Sequence, residues 1–470
     1  MPRLLLSALL LLAGSVLAQD RPPNVVLMLV DDLGWTDLAC QGSKFYETPH
    51  LDQLARDGMR FTDAYSACTV CSPTRAAVLT GKSPARLHLT DWIAGHARPH
   101  ARLQIPDWTK SLPQEETTLA EHLKGAGYAT ASIGKWHLGP DGPEAHGFDR
   151  NLGGYEAGSP PSYFSPYKIP TLKDGPEGEF LTDRLTEEAV GFIRESKDQP
   201  FFVYLPHYAV HTPIQAKADV IAKYRAKGPA GNHHDPVYAA LVESVDDSVG
   251  RLRAVLKELG LADNTLFIFT SDNGGLSQLV GPQGWRRGPT DNSPLRLGKG
   301  SAYEGGVRVP LLIAWPDVIE PGSTCDTPVI SYDLAPTVLA ATGVTPDAEI
   351  VFDGESLLPL LSQKDLLQRD TLYWHYPHYH PGGATPYSAL RSGDWKLLLF
   401  HEDDRLELYN LRRDPGEAMN LAEAEADITL ELNEQLQTWL TEVNAQLPEP
   451  NPDHDPERVW ESPRPNRKKG

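Results

Sequence analysis

Three short, unbroken apolar runs constrain the fold of this 470-residue chain more than any other feature. They are Asn24 to Val30 (NVVLMLV), Phe201 to Leu205 (FFVYL) and Leu266 to Phe269 (LFIF). A strand with one face in water alternates apolar and polar residues, whereas a strand covered on both faces does not. Runs this short suit strands better than buried helices. Each run leads straight into polar residues: Asp31-Asp32-Leu33-Gly34, Pro206 to Pro213 (PHYAVHTP), and Thr270 to Gly275 (TSDNGG). Open α/β sheets gather ligands outside the carboxyl ends of their strands, so these three junctions are where chemistry is expected.

Helical patterns fill the intervals. Thr48-Pro49 opens one through Leu51 and Leu54 to Gly58, and Thr117 to Gly125 is another. Tyr238 to Leu259 carries Leu241, Val245, Val249, Leu252 and Leu256 on one stripe. Further strands are expected at Tyr128 to Ile133 and Val309 to Trp315, and a helix at Asp333 to Ala341. This alternation predicts a mostly parallel α/β sheet to about residue 345. Beyond about residue 365, short runs at 371–374, 388–390, 395–400 and 406–409 predict a small antiparallel sheet. An amphipathic helix follows from about Ile428 to Val443. The expected division is therefore 1–18 as a signal segment, 19–365 as the main domain, 366–447 as a smaller α+β subdomain, and 448–470 as an extended tail rich in proline and charge.

Cys71-Ser72-Pro73-Thr74-Arg75 begins as a polar turn and continues as a helix through Ala76, Ala77 and Leu79 to Gly81. Pro73 suits a first helical turn and Gly81 a left-handed cap. Cys71 thus sits where free backbone N–H groups favour an anion, with Arg75 one turn away. Such a cysteine is also compatible with a structural or redox role, and Cys68-Thr69-Val70-Cys71 has redox spacing. No thioredoxin-like strand pattern precedes it. Asp31 and Asp32 repel one another unless a cation joins them. Asp272 and Asn273 offer further oxygens suited to a hard cation, although aspartate also caps helices and D-N-G makes good turns. Lys135 and His137 flank Trp136 as alternating residues on a strand would, which directs both to one face.

A net charge of −20 argues against a general nucleic-acid binder. Four cysteines are too few for a disulfide scaffold, and Cys40 with Cys68 is one pairing open to them. Arg3, the apolar run Leu4 to Leu12 and Val16-Leu17-Ala18 read as an export signal, which places the mature protein in the periplasm or outside the cell. No later stretch suggests stable membrane insertion.

C-S-P-T-R followed by an alanine-rich helix and Thr80-Gly81 resembles the signature of type I sulfatases, within the alkaline-phosphatase-like superfamily. Gly134 to Gly139 (GKWHLG) matches that family's second signature. His211, followed one residue on by Pro213, fits its histidine pattern; His207 does not, and reads as a packing residue. Lys299, ahead of Tyr303 to Pro310 (YEGGVRVP), matches the next block. The resemblance implies a large mixed, mostly parallel sheet between helices and a small C-terminal subdomain. It implies that a formylglycine-generating enzyme oxidises Cys71 to formylglycine, whose hydrate attacks sulfur. It implies one calcium ion held by Asp31, Asp32, Asp272, Asn273 and the modified Cys71.

Arg75, Lys135 and Lys299 would then offset sulfate charge, and His211 with Lys299 would protonate the departing alcohol. His137 would take a proton from the second hydroxyl, so that the covalent sulfate is expelled. The implied activity is hydrolysis of a sulfate ester on a sulfated glycan. Arylsulfatase or phosphonate or phosphate ester hydrolase activity is the alternative enzyme reading. A calcium-dependent glycan-binding protein with unconverted Cys71 is the non-enzymatic one. Two clusters are candidates for sugar contacts: His96, Arg98 and His100 in the irregular stretch 92–110, and His375 and His378 in Trp374 to His380 (WHYPHYH).

Overall fold

Successive residues of the first apolar run go to opposite sides of a sheet. Val26, Met28 and Val30 join one core, and Val25, Leu27 and Leu29 join the other. Both faces are covered, which is why the run shows no polar alternation. The computed structural model describes residues 21–461, so the segment expected as a signal, 1–18, lies outside the described residues.

The main sheet has eight strands. They are β1 (Asn24–Val30), β2 (Met59–Phe61), β3 (Ala129–Ile133), β4 (Arg150–Leu152), β5 (Phe201–Pro206), β6 (Thr265–Ser271), β7 (Leu311–Ala314) and β8 (Ser323–Cys325). Their spatial order is β8-β2-β7-β6-β1-β5-β3-β4. β1 lies between β5 and β6 and is parallel to both, and β3 continues parallel to β5. Only β7 runs antiparallel to its neighbours. The carboxyl ends of β3, β5, β1 and β6 therefore emerge side by side at one edge.

Helices Leu181–Glu195 and Pro236–Glu258 cover one face. Asp235 caps the longer one, its carboxylate accepting from the N–H groups of Val237 and Tyr238. On the other face lie Cys71–Thr80, Leu119–Gly125 and Leu334–Thr342. Thr118 and Glu121 form a reciprocal capping box at the start of the second of these.

Strands β9 (Thr371–Tyr376), β10 (Tyr387–Ser392), β11 (Trp395–Phe400) and β12 (Arg405–Asn410) form a four-stranded antiparallel sheet in chain order. Leu432, Leu436 and Leu440 of helix Ala426–Glu442 pack on one side of it. Trp374, Tyr376 and Leu398 on the other side pack against Val70 and Ala77, which flank and belong to the Cys71 helix. A fully buried ion cluster ties the two units: the Lys396 ammonium lies 3.0 Å from Glu304 and 2.9 Å from Glu417.

Over its described part, the tail docks on the irregular stretch of the main domain. Glu449–Pro450 pairs antiparallel with Leu103–Gln104. Asn451 donates to the carbonyls of Pro99 and Ala101. Proline and charge kept this segment out of a core, but its backbone groups found partners on the irregular 98–104 stretch. All four cysteines are free thiols, so Cys40 and Cys68 are not bridged.

Candidate active site

The Cys71–Thr80 helix begins at Cys71, and Gly81 closes it with φ 69°. Every residue of that helix is buried. Cys71 Sγ lies 3.3 Å from His137 Nδ1. His137 Nε2 donates to the Ile93 carbonyl, which leaves the Nδ1 lone pair facing Cys71. Burial and the neighbouring Lys135 hold the His137 ring well below its ordinary pKa, so it is neutral. Ser72 fixes this corner, donating to the His137 carbonyl and accepting from Ile93 N–H.

Lys135 and His137 reach the site, but not by strand alternation. β3 ends at Ile133, and the chain then turns sharply. Gly134 has φ 124°, and a Cβ there would lie 2.1 Å from the Pro206 carbonyl oxygen, so only glycine fits. His137 itself has φ 57°, and Asp32 has φ 62°. Two non-glycine site residues in the left-handed region mark a backbone held by its surroundings. Trp136 points away, into the core with Leu138 and Phe148.

Three cations and three carboxylates meet at the strand ends. Arg75 Nε and Nη2 donate to Asp272 Oδ2 at 3.0 and 2.7 Å, and its Nη1 donates to the Lys135 carbonyl. Lys135 Nζ donates to Asp31 Oδ2 at 2.6 Å. Lys299 Nζ lies 2.6 Å from Asp32 Oδ1, which also accepts from Asn273 Nδ2 at 2.8 Å. Burial works against the Asp32 charge, but Lys299, His211 and Asn273 outweigh it and hold that carboxyl below its usual range. Asp31 is pushed the other way, well above that range, by burial and by Asp272, which together outweigh Lys135. His211 Nε2 stands 3.7 Å from Asp32 Oδ2 on the more open side. Its Nδ1–H donates to the Thr212 carbonyl, and burial with Lys299 nearby lowers the ring to about 3. His207 is buried against Ser248, as a packing residue would be.

Two buried oxygens in this cluster have no hydrogen-bond donor: Asp31 Oδ1 and Asn273 Oδ1. They come from the ends of β1 and β6, beside Asp32 and Asp272. Orphaned buried acceptors are costly, and an all-oxygen set of this kind fits a hard cation such as calcium. The donor chemistry therefore fits the metal expected from the sequence.

The sulfatase family model matches residues 23–344. The chain belongs to the sulfatase family. A second family model, described as N-sulphoglucosamine sulphohydrolase, C-terminal, matches residues 297–446. A sulfatase of Formosa agariphila is 34% identical, over 94% of this chain and 93% of its own length. Human arylsulfatase A is 35% identical, over 94% and 91%. The crystal structure of Ps i-CgsB in complex with k-i-k-neocarrahexaose superposes with a TM-score of 0.75 at 29% identity, covering 89% of this chain and 93% of that one. This sulfatase is a sulfuric ester hydrolase with the alkaline-phosphatase-like fold.

The candidate sugar contacts divide. His375 is buried, with Nδ1 on Ser388 and Nε2 on the Gln446 carbonyl, so neither nitrogen is left for a ligand. His378 is buried beneath Thr90 and Trp108. Both are corrections: the cluster sits where the subdomain packs on the main domain. His100 turns to the Asp453 carbonyl, away from the strand ends. His96 stays near the site, donated to by Trp92 and edge-on to His380 at 5.2 Å. His380 closes the WHYPHYH cluster, but the sequence did not single it out as a contact. It packs on Gly300, directly beside Lys299, and as the third histidine of the cluster, in Y-H-P-G-G, it carries no motif that would single it out.

Proposed function

We propose that this sulfatase removes sulfate from a sulfated carbohydrate, using a formylglycine made from Cys71 and one calcium ion held by Asp31, Asp32, Asp272 and Asn273. The observation that carries the reading is the pairing of Cys71 Sγ with the neutral His137 Nδ1 at a helix start, beside two orphaned oxygens. Sγ stands in here for an oxygen of the formylglycine hydrate, which supplies the nucleophile. When bound, calcium supplies positive charge for the sulfate oxygens.

The chain's own residues do the rest. Arg75, locked on Asp272, and Lys135 and Lys299, held on Asp31 and Asp32, put three positive charges around one small volume. His137 accepts a proton at Nδ1 from the group that replaces Sγ. His211 gives a proton from Nε2 to the leaving alcohol. In the empty site His211 is neutral, because burial and Lys299 disfavour its charge. A bound sulfate monoester is an anion that offsets Lys299 and so raises the His211 pKa back toward its ordinary value. A sugar alkoxide is a poor leaving group and needs that proton. The carbohydrate reading is supported by the sugar-bound relative.

The test is coexpression with a formylglycine-generating enzyme. Conversion shortens the mass of the Cys71 peptide by about 18 Da, and activity on a sulfated sugar should appear with it. Cys71→Ala should abolish that activity, and full activity in the variant would sink the mechanism. Export is proposed as well, on residues 1–18, and N-terminal sequencing of the protein recovered from the periplasm or medium checks it.

A further inference from the structure

Beside the catalytic groups lies a separate cleft of about 340 Å³, within the ~300–1,000 Å³ usual for small-ligand sites. Five separate stretches of chain build it, one of them the turn after β11 that carries Glu402. Arg98 comes from the irregular 92–110 stretch, Trp285 from the hairpin Gln278–Gly281/Gly284–Arg287, Tyr379 and His380 from the loop after β9, and Trp460 from the tail. The hairpin is tied to that loop: Val280 N–H donates to the Pro381 carbonyl and Gln278 Nε2 to the Gly382 carbonyl.

His380 joins this cleft to the catalytic centre. Its Nδ1 accepts from Gly382 N–H, which places the proton on Nε2 as a donor. Arg98 is half-buried, with its guanidinium 4.5 Å from the Trp460 ring and 5.8 Å from Tyr379. It makes no ion pair among the described residues. Glu402, the one acid lining the cleft, is engaged by the Tyr379 hydroxyl. Trp285 is 60% exposed. Its ring edge hangs over Gly383, where a Cβ would come within 3.6 Å of it. A flat aromatic face in water, a stacked arginine without a counter-ion and a histidine donor shared with the reaction centre make a surface for a polar ring that carries an anion.

We infer that this cleft is the subsite for the sugar next to the one being desulfated, and that Arg98 binds a sulfate or carboxylate on that neighbouring sugar. The inference rests on the carbohydrate reading above and deepens it. The natural substrate is then an anionic oligosaccharide rather than a sulfated monosaccharide. Trp285 supplies the stacking face, His380 Nε2 a hydroxyl contact, and Trp460 holds the Arg98 guanidinium flat.

The experiment uses the full chain with Cys71 unconverted, so that binding is read without turnover. Probes are tetrasaccharides of chondroitin 6-sulfate, heparin and κ-carrageenan, each against its own sulfated monosaccharide, by titration calorimetry. At least one tetrasaccharide should bind about tenfold or more tighter than its monosaccharide, and Arg98→Gln should remove about tenfold of that preference. Trp285→Ala, at an exposed position with no folding risk, should weaken the same tetrasaccharide and not the monosaccharide. In converted enzyme, kcat/KM for nitrophenyl sulfate should stay within about twofold for both variants, since an aryl ester has no second sugar. No tetrasaccharide preference, or a preference that survives both substitutions, overturns the inference. If the preference behaves as expected while converted enzyme releases sulfate from no ester, the catalytic reading falls and the subsite stands.

Discussion

Calcium added to the unconverted chain is expected to raise its melting temperature, and Asp31→Asn is expected to remove the effect. The structure gives the reason. One Asp31 oxygen is held by Lys135; the other accepts no hydrogen bond and lies 3.8 Å from Arg75 Nη2. Burial and Asp272 raise its pKa well above normal, so the ion-free site favours a proton there. A divalent cation competes with a proton at that carboxyl, so calcium affinity should fall as pH falls. At calcium a hundredfold above Kd, the stabilisation is ~2.7 kcal/mol. For a chain of this length the unfolding entropy is about 1.0 kcal/mol/K, so the melting temperature should rise ~3 °C. Removing one of three ligand charges should cost about a hundredfold in affinity. At the same calcium concentration the stabilisation then falls to ~0.4 kcal/mol, a shift of under about half a degree. Differential scanning calorimetry reads the shift, and calcium titration at two pH values reads the proton competition. Equal shifts in both proteins would refute the ligand assignment, as would stabilisation by zinc and not by calcium.

His211→Ala should lower kcat/KM on a sulfated sugar by about 10²–10⁴, yet by less than about tenfold on nitrophenyl sulfate, whose phenoxide leaves without a proton; equal losses would argue against the general-acid role. Arg75→Ala, at the helix that bears the nucleophile, should damage both substrates alike. Lys396→Met leaves Glu304 and Glu417 buried without their shared cation and should cost about 3–5 kcal/mol in urea unfolding; a loss below about 1 kcal/mol would show that the cluster does not hold the subdomain. His207, His375 and His378 are each lowered to about 3 by burial. Their contribution is present above the unfolded pKa of about 6.5 and is lost as pH falls toward 3, by about 1.4 kcal/mol per pH unit for each histidine. His375→Gln should therefore lose about 2 kcal/mol less than the parent between pH 7 and pH 5, and an unchanged slope would contradict its being neutral in the folded state.

What the amino-acid order settled by itself was local. A run such as NVVLMLV lacks alternation only because both its faces are covered, so sheet, parallel sense and the location of Asp31, Asp32, Asp272 and Asn273 followed from one stretch of chain at a time. Pro73 and Gly81 bracket the Cys71 helix for equally local reasons. The fate of each histidine was not local. His375 and His378 look like sugar contacts beside Trp374, but whether a ring nitrogen is free depends on Ser388 across the sheet, Thr90, and Gln446 seventy residues on. Lys135 and His137 reached the site by a glycine turn under the Pro206 carbonyl, which no alternation pattern encodes. The tail read as extended because it has too little apolar surface to fold alone. Its order comes from backbone partners at residues 98–104, more than three hundred positions away, and only tertiary structure can supply those.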